Sequence, residues 1–137
     1  MNRKKAKKIL FICEGNVGRS QIAEGFYNYY TQTHYGKSAG INNVGEKYNY
    51  IPREDIIKVM LEKKIDISSQ RIKHVNKSHL NQIDEIVVLC SPDKLPAFIK
   101  ESKIDIVYKE VVDPYNSSYN SLLEIRDKIE EIVLEIL

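Results

Sequence analysis

A five-residue apolar run that ends in a cysteine and passes into a glycine-containing loop constrains the fold most strongly. The run is ILFIC, residues 9–13, and the loop after it reads EGNVG before an arginine and a serine. A short apolar run after a polar segment is typical of a buried parallel strand. From about Ser20 to Tyr35, apolar residues recur at helical spacing. The segment therefore predicts a strand, a tight loop and a helix in succession.

The same alternation continues along the chain. Three further strands are predicted from the segments KSAGI (37–41), DEIVVLC (84–90) and IDIVYKEV (104–111). Three further helices are predicted. The first runs from about Pro52 to Lys64, the second is a short segment interrupted by Pro96, and the third is a long amphipathic helix that closes the chain. The pattern predicts an α/β fold, a single-domain four-stranded parallel sheet with helices on both faces.

The composition is that of an ordinary globular chain. Its 137 residues are enough to bury a core as one domain spanning residues 1–137. A formal net charge of +2 is too small to indicate nucleic acid or a membrane surface as a partner. Residues 1–7 are rich in lysine and arginine and are predicted to form a flexible basic tail. Neither a signal peptide nor a run of transmembrane length is recognisable, so we expect a cytoplasmic protein.

The loop after the first strand has the composition of an anion-binding site. Gly15 and Gly18 are expected to adopt positive φ and to let the backbone approach a ligand, and Asn16 also tolerates the left-handed region. Such a loop points several N–H groups inward, and the following helix adds its positive N-terminal end. Arg19 supplies a planar fork for two oxygens of a tetrahedral anion. The sequence therefore predicts a phosphate-binding loop after the first strand.

Cys13 stands at the start of this loop and is predicted to be a nucleophile. The inward N–H groups, the helix end and Arg19 all favour the thiolate over the thiol, and the Ser20 hydroxyl can bind that thiolate. The spacing of glycines and the arginine exclude a Walker A loop, and the dinucleotide-binding glycine pattern is incomplete. A buried cysteine followed by an ordinary glycine-rich turn is the structural alternative. The predicted ligand-binding residues of the loop are Glu14, Gly15, Asn16, Val17, Gly18 and Ser20.

Three candidate groups follow the carboxyl ends of different predicted strands. Cys13 follows the first strand, Cys90 the third and Asp113 the fourth. Because ligands of parallel α/β sheets bind at these ends, we expect the three side chains to lie near one site. His34, His74 and His79 form no metal-binding pattern with the cysteines, and we expect neither a metal nor a cofactor.

The segment CEGNVGRS resembles the C-x-G-N-x-x-R-S signature of the low-molecular-weight protein tyrosine phosphatase family, which shares its fold with thioredoxin-coupled arsenate reductases. The segments SAG (38–40), IDISSQR (65–71), DEIVVLC and VVDPY (111–115) appear in the family's order, so the resemblance covers almost the whole chain. It implies that Asp113, before Pro114, is the general acid. It also implies that Tyr115 lines the entrance, and an exposed loop tyrosine without a role in binding is an equal alternative. Asn43, Tyr48 and Tyr50 are candidates for substrate choice.

The resemblance leaves two activities open. Cys90 matches the second cysteine of the arsenate reductases, but the third cysteine of the thioredoxin-coupled enzymes has no counterpart in SPDKLPAFIKES (91–102). Asp113 and Tyr115 fit the phosphatases, whereas Gly18 replaces a loop cysteine of many phosphatases. We expect hydrolysis of phosphotyrosine-type monoesters through a phosphocysteine. The alternative is arsenate reduction by Cys13 with Cys90 and an external thiol.

The two activities imply different partners and different roles for Cys90. A phosphatase acts on a phosphorylated protein or a small phosphate ester, and a reductase on arsenate together with a thiol donor. Cys90 is equally interpretable as a small buried hydrophobe or as half of a protective disulfide with Cys13. A third possibility is a phosphate-binding module without activity, but the sequence lacks none of the groups that catalysis needs.

Overall fold

A computed structural model describes residues 6–137 and contains a four-stranded, wholly parallel sheet. The strands are β1 (Ile9–Cys13), β2 (Gly36–Gly40), β3 (Glu85–Val88) and β4 (Asp105–Tyr108). They lie in the order β2-β1-β3-β4, so β1 has a neighbour on each side and all five of its residues are buried. The predicted four-stranded parallel sheet is confirmed, and the loop after β1 leaves from the middle of the sheet.

Helices cover both faces of the sheet, as predicted. They are α1 (Arg19–Thr31), α2 (Glu54–Leu61), α3 (Ala97–Lys100) and α4 (Tyr119–Ile136). One core cluster joins Phe11 of β1 and Val87 of β3 to apolar residues of α1, α2 and α4. The other joins Leu10 and Ile12 of β1 to Ile99 of α3. Successive side chains of β1 therefore pack on opposite faces of the sheet, as the two-residue repeat of a strand requires.

Two helices are shorter than predicted because of local backbone conformations. Helix α1 ends at Thr31, where Gln32 adopts the left-handed conformation with φ 54° and its N–H donates to Asn28 O. Helix α2 begins at Glu54, after an extended residue with ψ 142°, so Pro52 precedes the helix instead of opening it. Neither apolar periodicity nor the preference of proline for the first helical position reports the backbone dihedrals that set a helix boundary.

Beyond β3 and β4, single backbone hydrogen bonds continue the sheet toward the site. Leu89 N donates to Ile12 O at 2.8 Å, Lys109 N donates to Val88 O at 2.8 Å, and Val111 N donates to Leu89 O at 2.9 Å. These bonds hold the segments that carry Cys90 and Asp113 beside the end of β1. Both strands end earlier than predicted, but their carboxyl ends meet at one edge.

A flexible tail is predicted over residues 1–7, and positions 1–5 of it lie outside the described residues. At the first described residues, the carbonyl of Lys7 accepts a hydrogen bond of 2.5 Å from the Tyr27 hydroxyl of α1. Among the helices of residues 6–137, none is both long enough and apolar enough to cross a membrane.

Candidate active site

Asn16 is the structural pivot of the loop between β1 and α1. It is fully buried and adopts the left-handed conformation with φ 60°, as the sequence predicted. Its side-chain oxygen accepts hydrogen bonds from Gln21 Nε2 at 3.0 Å and from Lys73 N at 2.9 Å. Gln70 Nε2 in turn donates to Gln21 Oε1 at 2.7 Å. The segment around residues 70–73 therefore supports the loop from behind and fixes its unusual backbone.

The glycines of the loop have a role other than the one predicted. No glycine in residues 6–137 has positive φ, so the prediction for Gly15 and Gly18 was wrong. A Cβ built on Gly18 would lie 3.2 Å from both Ile56 Cδ1 and Pro114 Cγ. At Gly15, a Cβ would lie 3.3 Å from Val44 Cγ2. The glycines thus allow neighbouring segments to pack closely against the loop, while Asn16 alone makes the left-handed turn.

Cys13 is held by hydrogen bonds that suit a thiolate. Its Sγ lies 2.9 Å from Ser20 Oγ and accepts a hydrogen bond of 3.3 Å from Asn16 N. Ser20 Oγ also accepts a hydrogen bond of 2.6 Å from Asn16 Nδ2, which leaves its own proton to be donated to the sulfur. Donors from two directions therefore point at Sγ, and each favours the negatively charged form of the sulfur.

Arg19 is the buried cation of the site. Only 5% of the residue is exposed, and its Nη1 donates to Val111 O at 2.8 Å and to Leu89 O at 3.4 Å. Its Nη2 lies 3.9 Å from Asp113 Oδ2 and 4.0 Å from Glu14 Oε1. One edge of the guanidinium is thus anchored on the backbone, while the other lies between two carboxylates at the site.

The loop, Arg19 and the segment after β4 enclose a cavity of about 190 Å³. Eight predicted site residues line it, namely Cys13, Glu14, Gly15, Val17, Gly18, Arg19, Asp113 and Tyr115. Asn16 and Ser20 are buried beneath. Among the candidates for substrate choice, Tyr48 lines the cavity, whereas Asn43 and Tyr50 do not. The volume accommodates a phosphoryl group and part of its substituent.

Four further residues of the cavity wall were not singled out in the sequence. They are Asn42, Val44, Lys47 and Arg53, which reach the cavity from the segment between β2 and α2. This segment contains a short 3₁₀ helix, Gly45–Tyr48, and no recognisable sequence motif, so only the fold shows that it faces the loop. Substitution of these residues is expected to change the surroundings of an anion bound in the cavity.

The family model for low molecular weight phosphotyrosine protein phosphatases matches residues 8–137. The chain belongs to this family. Among curated relatives of this phosphatase-family chain, an arsenate reductase of Bacillus cereus (strain AH187) is 32% identical over 126 residues, which are 91% of this chain and 90% of the relative. The signature around Cys13 and Arg19 lies within the part of the chain that the family model matches.

Two solved structures share this fold over nearly the whole chain. Vibrio vulnificus Wzb, solved in complex with benzylphosphonate, has a TM-score of 0.82 at 22% identity and covers 95% of this chain and 96% of its own. An arsenate reductase solved in the phosphate binding state has a TM-score of 0.79 at 25% identity and covers 96% of each chain. The likeness to Wzb establishes the fold alone. The family includes phosphatases and arsenate reductases, so membership leaves the specific activity open.

Cys90 lies beside the site but belongs to the core. It is fully buried and packs in the cluster that contains Leu10 and Ile12, on the face of the sheet that α3 covers. Burial, followed by the nearby Cys13 sulfur, raises the pKa of the Cys90 thiol to about 11, although Arg19 opposes the shift. A buried thiol with a raised pKa is a poor nucleophile at neutral pH.

At neutral pH, iodoacetamide is expected to alkylate Cys13 and to spare Cys90. Both cysteines are buried, but Cys13 lines the cavity, whereas Cys90 is fully enclosed in the core and, with a pKa of about 11, ionises only as the pH approaches that value. Peptide mapping by mass spectrometry measures the modification of each cysteine, with phosphate added as a protecting ligand for Cys13. Equal rates at the two cysteines, or no protection by phosphate, would contradict this assignment.

The three histidines lie away from the cavity. His79 Nδ1 accepts a hydrogen bond of 3.0 Å from Asn76 N, and burial, with the nearby Lys73 charge, lowers the pKa of His79. Across residues 6–137, no group of three His, Cys, Asp or Glu side chains is arranged to hold a metal ion. The cavity itself is lined by the thiol of Cys13, the guanidinium groups of Arg19 and Arg53 and the carboxyl groups of Glu14 and Asp113.

Proposed function

We propose that the protein hydrolyses phosphate monoesters of the phosphotyrosine type through a phosphocysteine intermediate. The supporting observation is that Cys13, Arg19 and Asp113 line one cavity, with Cys13 Sγ held by two donors that favour a thiolate. Tyr48 and Tyr115 also border the cavity and offer aromatic surfaces for an aryl substituent. A thiolate nucleophile, an anion clamp and a carboxyl group are the parts that this reaction requires.

In the first step, the Cys13 thiolate attacks phosphorus, and a sulfur–phosphorus bond forms as the bond to the ester oxygen breaks. Arg19 Nη2 and the N–H groups of the loop bind the non-bridging oxygens as charge develops on them. Asp113, in its protonated form, donates its proton to the departing oxygen, so that an alcohol or phenol leaves. The phosphocysteine keeps the charges of the phosphoryl group, and Asp113 is left as a carboxylate, so that the negative charge of the thiolate has passed to it.

In the second step, water attacks the phosphocysteine, and the Asp113 carboxylate accepts a proton from that water. The sulfur–phosphorus bond breaks, inorganic phosphate forms, and Cys13 returns as a thiolate. The Ser20 hydroxyl, 2.9 Å from Sγ, stabilises the sulfur as it leaves. The cycle consumes one water molecule and needs no electron donor.

Arsenate reduction is the second candidate, and the curated Bacillus relatives at 32% identity, which bear the name arsenate reductase, favour it. Cys13 would attack arsenate with loss of water, and Cys90 would then attack Cys13 Sγ. That attack forms a disulfide and releases arsenite, and an external thiol reduces the disulfide with two electrons. The burial of Cys90 opposes this route, because the raised pKa of its thiol, about 11, leaves little thiolate to attack Cys13 at neutral pH.

Paired assays on one preparation are expected to distinguish the two activities. We expect hydrolysis of 4-nitrophenyl phosphate by the native protein and by Cys90→Ala, because Cys90 takes no part in hydrolysis. Arsenate reduction with glutathione or thioredoxin as donor would require Cys90 and would be lost in Cys90→Ala. Absence of ester hydrolysis together with Cys90-dependent arsenite production would reverse the proposal in favour of the reductase.

A further inference from the structure

The side chain of Asp113 is exposed, and the loop that carries it is held mainly by local hydrogen bonds, one of which Ser117 N donates to Pro114 O at 3.0 Å. Asp113 has 56% of its side chain exposed, and its Oδ1 accepts a hydrogen bond of 3.0 Å from Tyr115 N within the same turn. The side chain of Pro114 rests against Gly18, where a Cβ would be only 3.2 Å away. A general acid has to lie within hydrogen-bond reach of the departing oxygen, so an exposed loop needs a further restraint.

Arg53 supplies such a restraint from the opposite wall of the cavity. Its Nη2 donates a hydrogen bond of 3.3 Å to Pro114 O, the carbonyl directly after the acid. Its Nε donates to Asp55 Oδ1 at 2.7 Å, which aligns the guanidinium and offsets its charge. Two different nitrogens of one planar group therefore hold two partners, an arrangement that a lysine ammonium does not reproduce.

The backbone of Arg53 is itself fixed by α2. Its carbonyl accepts hydrogen bonds from Ile56 N at 3.0 Å and from Ile57 N at 3.1 Å, the first bonds of that helix. The chain of contacts thus runs from the buried face of α2 through Arg53 to the loop of Asp113. This contact ties the loop to α2, whereas the bonds donated by Tyr115 N and Ser117 N lie within the loop itself.

We infer that Arg53 is a positioning residue that holds the Asp113 loop over the cavity, so that the carboxyl group delivers its proton to the departing oxygen. This role depends on the hydrolase chemistry proposed above, since only a reaction with a leaving alcohol or phenol needs that proton. Arg53 also lines the cavity. Direct binding of the substrate anion is therefore the competing role, and the two roles predict different kinetics.

Two substrates with different leaving groups separate the roles. 4-Nitrophenolate leaves readily as an anion, whereas the more basic phenolate depends on protonation. In Arg53→Ala, kcat/KM for phenyl phosphate, which reports the steps up to release of the phenol, is expected to fall by about tenfold or more, and kcat/KM for 4-nitrophenyl phosphate by less than about threefold. Arg53→Lys should not restore the loss, because it lacks the fork. Direct substrate binding would instead raise KM for both substrates by the same factor.

The Asp113→Asn variant provides the reference for loss of the acid. If Arg53 acts through Asp113, adding Arg53→Ala to Asp113→Asn should cause no further loss on phenyl phosphate. Lys47→Ala removes another positive charge from the cavity wall and is expected to change both substrates by the same factor. Thermal unfolding of each variant shows whether the fold is retained, and Arg53→Gln serves as a milder variant if Arg53→Ala unfolds.

The outcomes separate the inference from the proposed function. Equal losses on both substrates, or multiplying losses in the double variant, would overturn the role of Arg53 while the hydrolase activity stood. Absence of turnover of either ester by the native protein would instead overturn the proposed function. The inference is supported if Arg53→Ala lowers turnover of phenyl phosphate more than that of 4-nitrophenyl phosphate, and does so only in proteins that retain Asp113.

Discussion

Cys13→Ser is expected to abolish hydrolysis of 4-nitrophenyl phosphate, with a fall in kcat of about 10⁴-fold or more. The serine hydroxyl is far less acidic than a thiol, so the two donors that stabilise a thiolate in the native site leave it protonated and unreactive. Loss of the nucleophile removes the whole covalent route, whichever oxyanion the protein uses. The measurement is steady-state turnover compared with the native protein in the same buffer.

If the fold and the loop are intact, Cys13→Ser should still bind phosphate. Arg19 and the loop N–H groups remain, so phosphate is expected to raise the thermal unfolding temperature of the variant as it does that of the native protein. Cys90→Ala serves as the control for replacing a cysteine at this edge of the sheet. Residual turnover near the native level in Cys13→Ser would remove Cys13 from the mechanism.

The strand, loop and helix around Cys13 could be predicted because every signal there is local. The apolar run, the loop composition and the helical spacing follow one another within about twenty residues. The same holds for the left-handed Asn16, which is one of the few residue types that tolerate φ of 60°. Local sequence also suggested a left-handed backbone for Gly15 and Gly18, and there the prediction failed.

The role of Gly18 depends on long-range packing. A Cβ at this position would lie 3.2 Å from both Ile56 Cδ1 and Pro114 Cγ, which are 38 and 96 positions further along the chain. The hydrogen bonds that hold Asn16, from Lys73 N directly and from Gln70 through Gln21, are also long-range contacts. Sequence spacing gives the types of residue that a site needs, whereas their contacts depend on which strand ends become neighbours.

Arg53 shows the same limit for a candidate functional residue. It stands outside the signature, directly before α2, and nothing in the segment IPRED (51–55) marks it as part of a cavity. Its bond to Pro114 O joins positions 61 residues apart. The sequence predicts the first residue of α2 only approximately. The direction of the Arg53 side chain depends on that first residue and so could not be predicted.

Arg19→Lys is expected to lower kcat/KM for phosphate esters by about 10²–10³-fold and to weaken inhibition by vanadate to a similar extent. The Arg19 guanidinium binds two backbone carbonyls through Nη1 and presents Nη2 beside Glu14 and Asp113. A lysine has one nitrogen and cannot serve both edges, although it keeps the positive charge. The loss therefore reports geometry, not charge.

Arg126→Lys is the matched control for this substitution. Arg126 is also buried, at 7% exposure, and its Nη1 also donates to a backbone carbonyl, that of Val59 at 2.9 Å, but it lies on α4 outside the cavity wall. Both lysine variants should lower the unfolding temperature, because each leaves a buried carbonyl poorly satisfied at a cost of about 1–3 kcal/mol. Only Arg19→Lys should weaken vanadate binding. Equal vanadate affinity in Arg19→Lys and the native protein would show that the fork of Arg19 does not hold the oxyanion.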